Sequence, residues 1–132
     1  MKRRLVLASL VAQLAAPAAA VGLGPLVKQG LTDGPAKAFY LTLINPYPDA
    51  RDFRAYPTTL DDQPIDHVEV IPSLVRLGGN KNRKLIVIAR DIEPGQTFTF
   101  RVCAELQHQP EGTVHARVCS KLSARRIAAV AQ

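Results

Sequence analysis

The sequence contains no tryptophan, one methionine, three tyrosines and four phenylalanines in 132 residues. Aromatic side chains are too few to form a stacking platform for unpaired bases, so Val, Leu, Ile and Ala must fill any interior. There are only two cysteines, Cys103 and Cys119, and three scattered histidines. Without a CxxC pair they offer no zinc ligand cluster; His108 and His115 flank one turn, and a metal there is not expected. No apolar run reaches the roughly 20 residues that a membrane helix needs. The sequence also lacks a GxSxG elbow, a Walker loop, an HExxH helix and a glycine-rich dinucleotide fingerprint. Gly22-Leu23-Gly24 is followed by Pro25, which spoils a phosphate loop. These absences point to a binding or structural module rather than an enzyme, with no cofactor and no metal.

What is present begins with Met1-Lys2-Arg3-Arg4, then an apolar stretch from Leu5 to Leu14 broken only by Ser9 and Gln13, then Ala15-Ala16-Pro17-Ala18-Ala19-Ala20. A basic start, a short apolar middle and a small-residue exit describe a secretory signal peptide over residues 1–20. Its removal leaves no stable membrane anchor and takes away Lys2, Arg3 and Arg4, which lowers the net charge from +6 to +3. Nucleic acid is therefore not an expected partner: the mature chain is only mildly basic, and Lys81, Arg83 and Lys84 sit with Asn80 and Asn82 in what reads as a solvated turn. The acids Asp61, Asp62 and Asp66 likewise read as a solvated polar turn.

Residues 21–123 read as one domain, with 124–132 as a flexible tail. Phe39, Leu41 and Leu43 alternate with Tyr40 and Thr42. Leu85, Val87 and Ala89 alternate with Ile86 and Ile88. Phe98, Phe100, Val102 and Ala104 alternate with Thr97, Thr99, Arg101 and Cys103, and Val114, Ala116, Val118 and Leu122 alternate with His115, Arg117, Cys119 and Lys121. Period-two patterns of this kind mark half-buried strands. Weaker strands are expected around Gly22–Val27, Asp52–Tyr56 and His67–Ile71. Turn signals separate them, among them Asp33-Gly34-Pro35, Asn45-Pro46, Gly78-Gly79-Asn80, Glu93-Pro94-Gly95 and Pro110-Glu111-Gly112. The fold class is all-β: an immunoglobulin-like β-sandwich of about seven strands, with a small β-barrel as the alternative.

The cysteines test that reading. A hairpin that pairs Cys103 with Cys119 turns inside Gln109-Pro110-Glu111-Gly112. The same register sets Phe100 against Leu122, Ala104 against Val118 and Leu106 against Ala116, so core residues meet core residues and the cysteines meet on the opposite, polar face. Directly opposed residues lie about 4.5–5.5 Å apart, within reach of a disulfide, and export favours oxidation. A disulfide between Cys103 and Cys119 is the expectation; two buried thiols are the alternative.

Three segments resemble the N-terminal domain of the periplasmic pilus-assembly chaperones, the PapD-like family. Lys37-Ala38-Phe39-Tyr40-Leu41-Thr42-Leu43-Ile44-Asn45-Pro46 is similar to the family's second strand, which ends in an Asn before a turn. Val70-Ile71-Pro72-Ser73-Leu74-Val75-Arg76-Leu77 is similar to its P-x-x-x-x-L passage, and Pro94–Val102 to the run into its sixth strand. The resemblance implies a periplasmic Ig-like module that holds secreted, pilin-like subunits by lending them a β-strand. It makes the last strand, Val114 to Leu122, the partner-binding edge, with Val114, Val118 and Leu122 along it. Lys121 in Ser120-Lys121-Leu122 falls where the family's carboxylate-anchoring lysine lies, and Lys28 is the nearest basic residue to the family's first-strand arginine. Disulfides between the last two strands occur in part of that family. The sequence departs from the family in covering one Ig-like domain and in having a short polar segment, Gln107–Gly112, before the last strand.

Two functions follow as expectations: a chaperone-like module that binds a secreted partner strand, or a disulfide-stapled structural or adhesive Ig-like subunit. An exposed strand edge separates them, because a structural subunit covers or blunts its edges. On the second reading Lys121 is an ordinary solvated lysine.

Overall fold

The computed structural model describes residues 21–109 and 115–128. The expected signal peptide, Val114 and the last four residues lie outside them. The chain forms β1 (Gly22–Gly24), β2 (Val27–Thr32), β3 (Lys37–Ile44), β4 (Arg51–Thr58), β5 (Val68–Ile71), β6 (Leu74–Leu77), β7 (Asn82–Ala89), β8 (Thr97–Leu106) and β9 (Arg117–Arg126). They make two sheets, a four-stranded one in the order β1-β3-β7-β5 and a five-stranded one in the order β2-β9-β8-β4-β6. The sheets stack as an open Ig-like sandwich and do not close into a barrel.

The alternation read from the sequence is the alternation that packs. Phe39, Leu41 and Leu43 of β3 and Leu85, Val87 and Ala89 of β7 are all buried, and the register places Phe39 beside Val87 and Leu41 beside Leu85. From the other sheet Phe100, Val102, Ala104, Leu122 and Ala124 turn inward. Phe39 and Phe100 meet across the interior edge to face, centroids 6.3 Å apart, a geometry favoured by the ring quadrupoles.

Nine strands stand where about seven were expected, because β6 and, past Val27, β2 lie beyond the expected strands Gly22–Val27 and His67–Ile71, where the chain changes sheet. The chain leaves β1 at Pro25 and Leu26 and enters the second sheet as β2, beside β9. There the Ser120 hydroxyl donates to the Pro25 carbonyl at 2.7 Å and the Lys121 amide to the Leu26 carbonyl at 2.8 Å. Likewise β5 pairs with β7, the chain crosses at Pro72 and Ser73, and β6 pairs with β4. Proline cannot donate to a ladder, which suits it to such crossings.

One corner is held by a buried amide. Asn45, wholly buried, donates from Nδ2 to the carbonyls of Asp49, Leu77 and Gly78 at 3.0–3.1 Å and accepts at Oδ1 from the Tyr47 amide at 2.9 Å. Gly79 packs so closely on this turn that a Cβ there would collide with the Pro48 carbonyl.

Arg83 and Lys84, expected in a turn, belong to β7 and remain exposed, with Lys84 Nζ 5.8 Å from the centre of the Tyr40 ring. β9 continues to Arg126, three residues beyond the expected domain end at Ser123.

Candidate partner-binding strand

The last strand is built by its two neighbours. On one side β8 pairs with it antiparallel from Glu105–Arg117 through Cys103–Cys119 and Phe100–Leu122 to Thr97–Arg125, the register deduced from the cysteines. The pairing expected between Leu106 and Ala116 lies one step past the ladder's end. On the other side β2 runs parallel to it, but only from Val27–Lys121 to Thr32–Arg126. Among the described residues the strand is thus an edge over Arg117–Ser120 and an interior strand from Lys121 onward.

The ladder also decides which backbone groups the open half presents. In an antiparallel pair, closely approached residues are those whose N–H and C=O point away from the partner. Cys103 and Cys119 are such a pair, Cα atoms 4.0 Å apart, their sulfurs bonded at 2.07 Å. Two residues on, the Lys121 amide points away from β8 and is taken by Leu26. By the same period Arg117 and Cys119 turn their N–H and C=O to the open side, where no β2 residue stands.

The outer face over this half is latched. Arg117 donates to Asp62 at 2.8 Å and to the Tyr56 hydroxyl at 3.4 Å, and these two partners, the tyrosine foremost, raise its pKa above the ordinary arginine value. Asp62 is therefore more than a solvated turn residue. Arg101 donates to the Leu60 carbonyl at 3.0 Å, so the loop after β4 is pinned on both flanks of the disulfide. Cys103 is fully buried even though it lies on the outer face, and Arg54 and Glu105 form an ion pair on the same side.

The residues singled out from the sequence fall into different environments. Val118 is half-buried against the core and Leu122 is wholly buried within it, so both meet the interior with their side chains. Lys121 is exposed on the outer face. Lys28 pairs in register with Leu122 and not with Lys121, which sets the two lysines on opposite faces. Among the described residues no group of three His, Cys, Asp or Glu side chains could hold a metal, and no helix is long and apolar enough to cross a membrane. The β2 cover and the Arg117–Asp62 contact left no sequence signal, because each joins segments far apart in the chain.

No protein-family model matches the chain, and no curated protein matches it. Solved structures do. The E. coli chaperone DraB is similar over 82% of this chain and 55% of its own, at 19% identity and a TM-score of 0.65. A Salmonella enterica complex of SafA pilin with the SafB chaperone is similar over 85% of this chain and 57% of that one, at 20% identity and a TM-score of 0.65. The seventh PapD-like domain of human CEP192 covers 97% of this chain and 100% of its own length, at 14% identity and a TM-score of 0.65. The protein has the PapD-like Ig fold, shared with pilus chaperones, and the chain spans a little over half the length of the chaperone chains it matches.

Proposed function

We propose that this protein is an exported, periplasmic, non-enzymatic chaperone-like module that holds a secreted, pilin-like subunit by β-strand addition at Arg117–Ser120. The observation that supports this reading is the half-open last strand: Arg117 and Cys119 offer backbone donors and acceptors at an edge that stops where β2 begins. A partner strand laid there extends the five-stranded sheet through main-chain hydrogen bonds. The disulfide ties that edge to β8, so the strand is rigid before the partner arrives and little ordering is required on binding. Lys121, where the open half ends, is the group we assign to the partner's terminal carboxylate. The solved structures similar to this chain include a chaperone with a pilin and a chaperone described as periplasmic, which agrees with the reading.

The test uses proline at an edge position. Arg117→Pro removes an N–H that points away from β8, so the β8–β9 ladder survives while the added strand loses a bond. Arg117→Ala controls for the lost contacts to Asp62 and Tyr56. Capture of a candidate pilin-like subunit that survives Arg117→Ala and fails in Arg117→Pro supports strand addition. Equal capture by both variants removes this edge from the function, and an absence of capture by the wild type favours a structural subunit.

A further inference from the structure

The outer face beside the edge carries a second pattern, of which strand addition uses Lys121 alone. The ladders β2–β9–β8 place outward side chains in three rows. Val27, Lys121 and Arg101 form the first, Gln29, Ser123 and Thr99 the second, and Leu31, Arg125 and Thr97 the third. No acidic residue occurs among them. Among the described residues Lys121 and Arg125 make no ion pair, and Arg101 donates to the Leu60 carbonyl and pairs with no carboxylate. Like charges directly opposed across strands, as in Arg101–Lys121, cost stability, so the fold alone gives no reason to keep them. The middle row is neutral and rich in hydrogen-bonding groups, with Thr99 and Ser123 hydroxyls 2.9 Å apart. A shallow groove of about 630 Å³, lined by residues including Gln29, Leu31, Thr97, Ser123 and Arg125, runs along the last two rows.

We infer that this face binds an extended acidic segment of a partner polypeptide, with carboxylates four residues apart. Lys121 and Arg125 are separated by four residues of strand, about 13 Å at the usual rise. An extended peptide has the same rise, so its residues i and i+4 meet the two cationic rows while i+2 meets the hydroxyl row. Val27 and Leu31, both well exposed, flank each cation and shield the incoming carboxylates from water. A nucleic acid fits less well: it carries a charge on every unit, which sets charges over the neutral row, and the three rows hold no aromatic side chain for stacking. The two readings share Lys121, which strand addition assigns to a terminal carboxylate; Arg125 belongs to the face alone, so its substitution tests this inference apart from strand addition at the edge.

The probes are two fluorescently labelled heptapeptides of one composition, Thr-Glu-Thr-Val-Thr-Glu-Thr and an isomer with adjacent glutamates, titrated against the full mature protein at low salt. The spaced peptide is expected to bind about tenfold tighter, the worth of one charge-assisted hydrogen bond. Arg125→Gln, an exposed change outside the proposed edge, is expected to abolish the difference. Arg83→Gln on the other sheet and Arg117→Pro at the edge are expected to preserve it. Equal affinity for the two peptides, no binding of either, a difference that survives Arg125→Gln, or displacement of the peptide by oligothymidine at lower concentration each overturns the inference.

Discussion

Lys28 and Lys121 are one step apart in the β2–β9 ladder and point to opposite faces of the sheet. Lys121 lies beside Val27 on the outer face, whereas Lys28 shares its row with the buried Leu122. They cannot grip one carboxylate as a side-by-side pair.

A difference between the two lysines follows. A partner peptide with a free C-terminus is expected to bind the wild type better than its amidated form, by about ten- to a hundredfold if the carboxylate accepts a charge-assisted bond that is partly shielded from water. Lys121→Ala is expected to erase that preference and Lys28→Ala to keep it, with thermal melting unchanged in both because both side chains are exposed. Titrations of the two peptides check this; a preference that persists in Lys121→Ala removes the lysine from the mechanism.

The disulfide is expected to carry a large share of the stability. Cys103 and Cys119 are 16 residues apart, and closing a loop of that size stabilises by about 3 kcal/mol in the chain-entropy model. Urea unfolding with and without reductant measures the change. Mass spectrometry of unreduced protein should find no free thiol.

Asn45→Ala is expected to destabilise by about 2–4 kcal/mol, since it strips three carbonyls and one amide of their partner in a buried corner. Asn45→Asp should do no better, because a carboxylate cannot donate to the carbonyls of Asp49, Leu77 and Gly78. Chemical denaturation of the two variants reads both effects; a loss below about 1 kcal/mol would show that water replaces the amide.

Cleavage after Ala20 is expected to leave Val21 as the mature N-terminus. Val21 is buried with the core and directly precedes β1, so a cut at that point spares the fold. N-terminal sequencing of exported protein decides it; a chain that still begins at Met1 refutes the processing.

The alternation of Phe39, Leu41 and Leu43, or of Leu85, Val87 and Ala89, was enough by itself to determine that this is an all-β protein of half-buried strands and which side chains fill it, though not whether the strands close into a barrel or stack as two sheets. Period two is local, and one face had to be buried. The cysteines went further, because a hairpin register is a single number: pairing Cys103 with Cys119 also set Phe100 against Leu122 and Ala104 against Val118. What only the tertiary structure decided is where the chain changes sheets. Pro25 fell inside an expected strand, Gly22–Val27, and Pro72 was legible only as part of a P-x-x-x-x-L passage, while the Val27–Thr32 segment shows no clean alternation, being a sheet edge with exposed Val27 and Leu31 and no side chain at Gly30. Sheet membership depends on partners far along the chain, so no local pattern encodes it. Yet that crossing brings β2 alongside β9, ends the open edge at Ser120, turns Lys28 away from Lys121 and completes the cationic rows of the outer face. The elements of the candidate site were legible one strand at a time; their juxtaposition is a property of the folded sandwich.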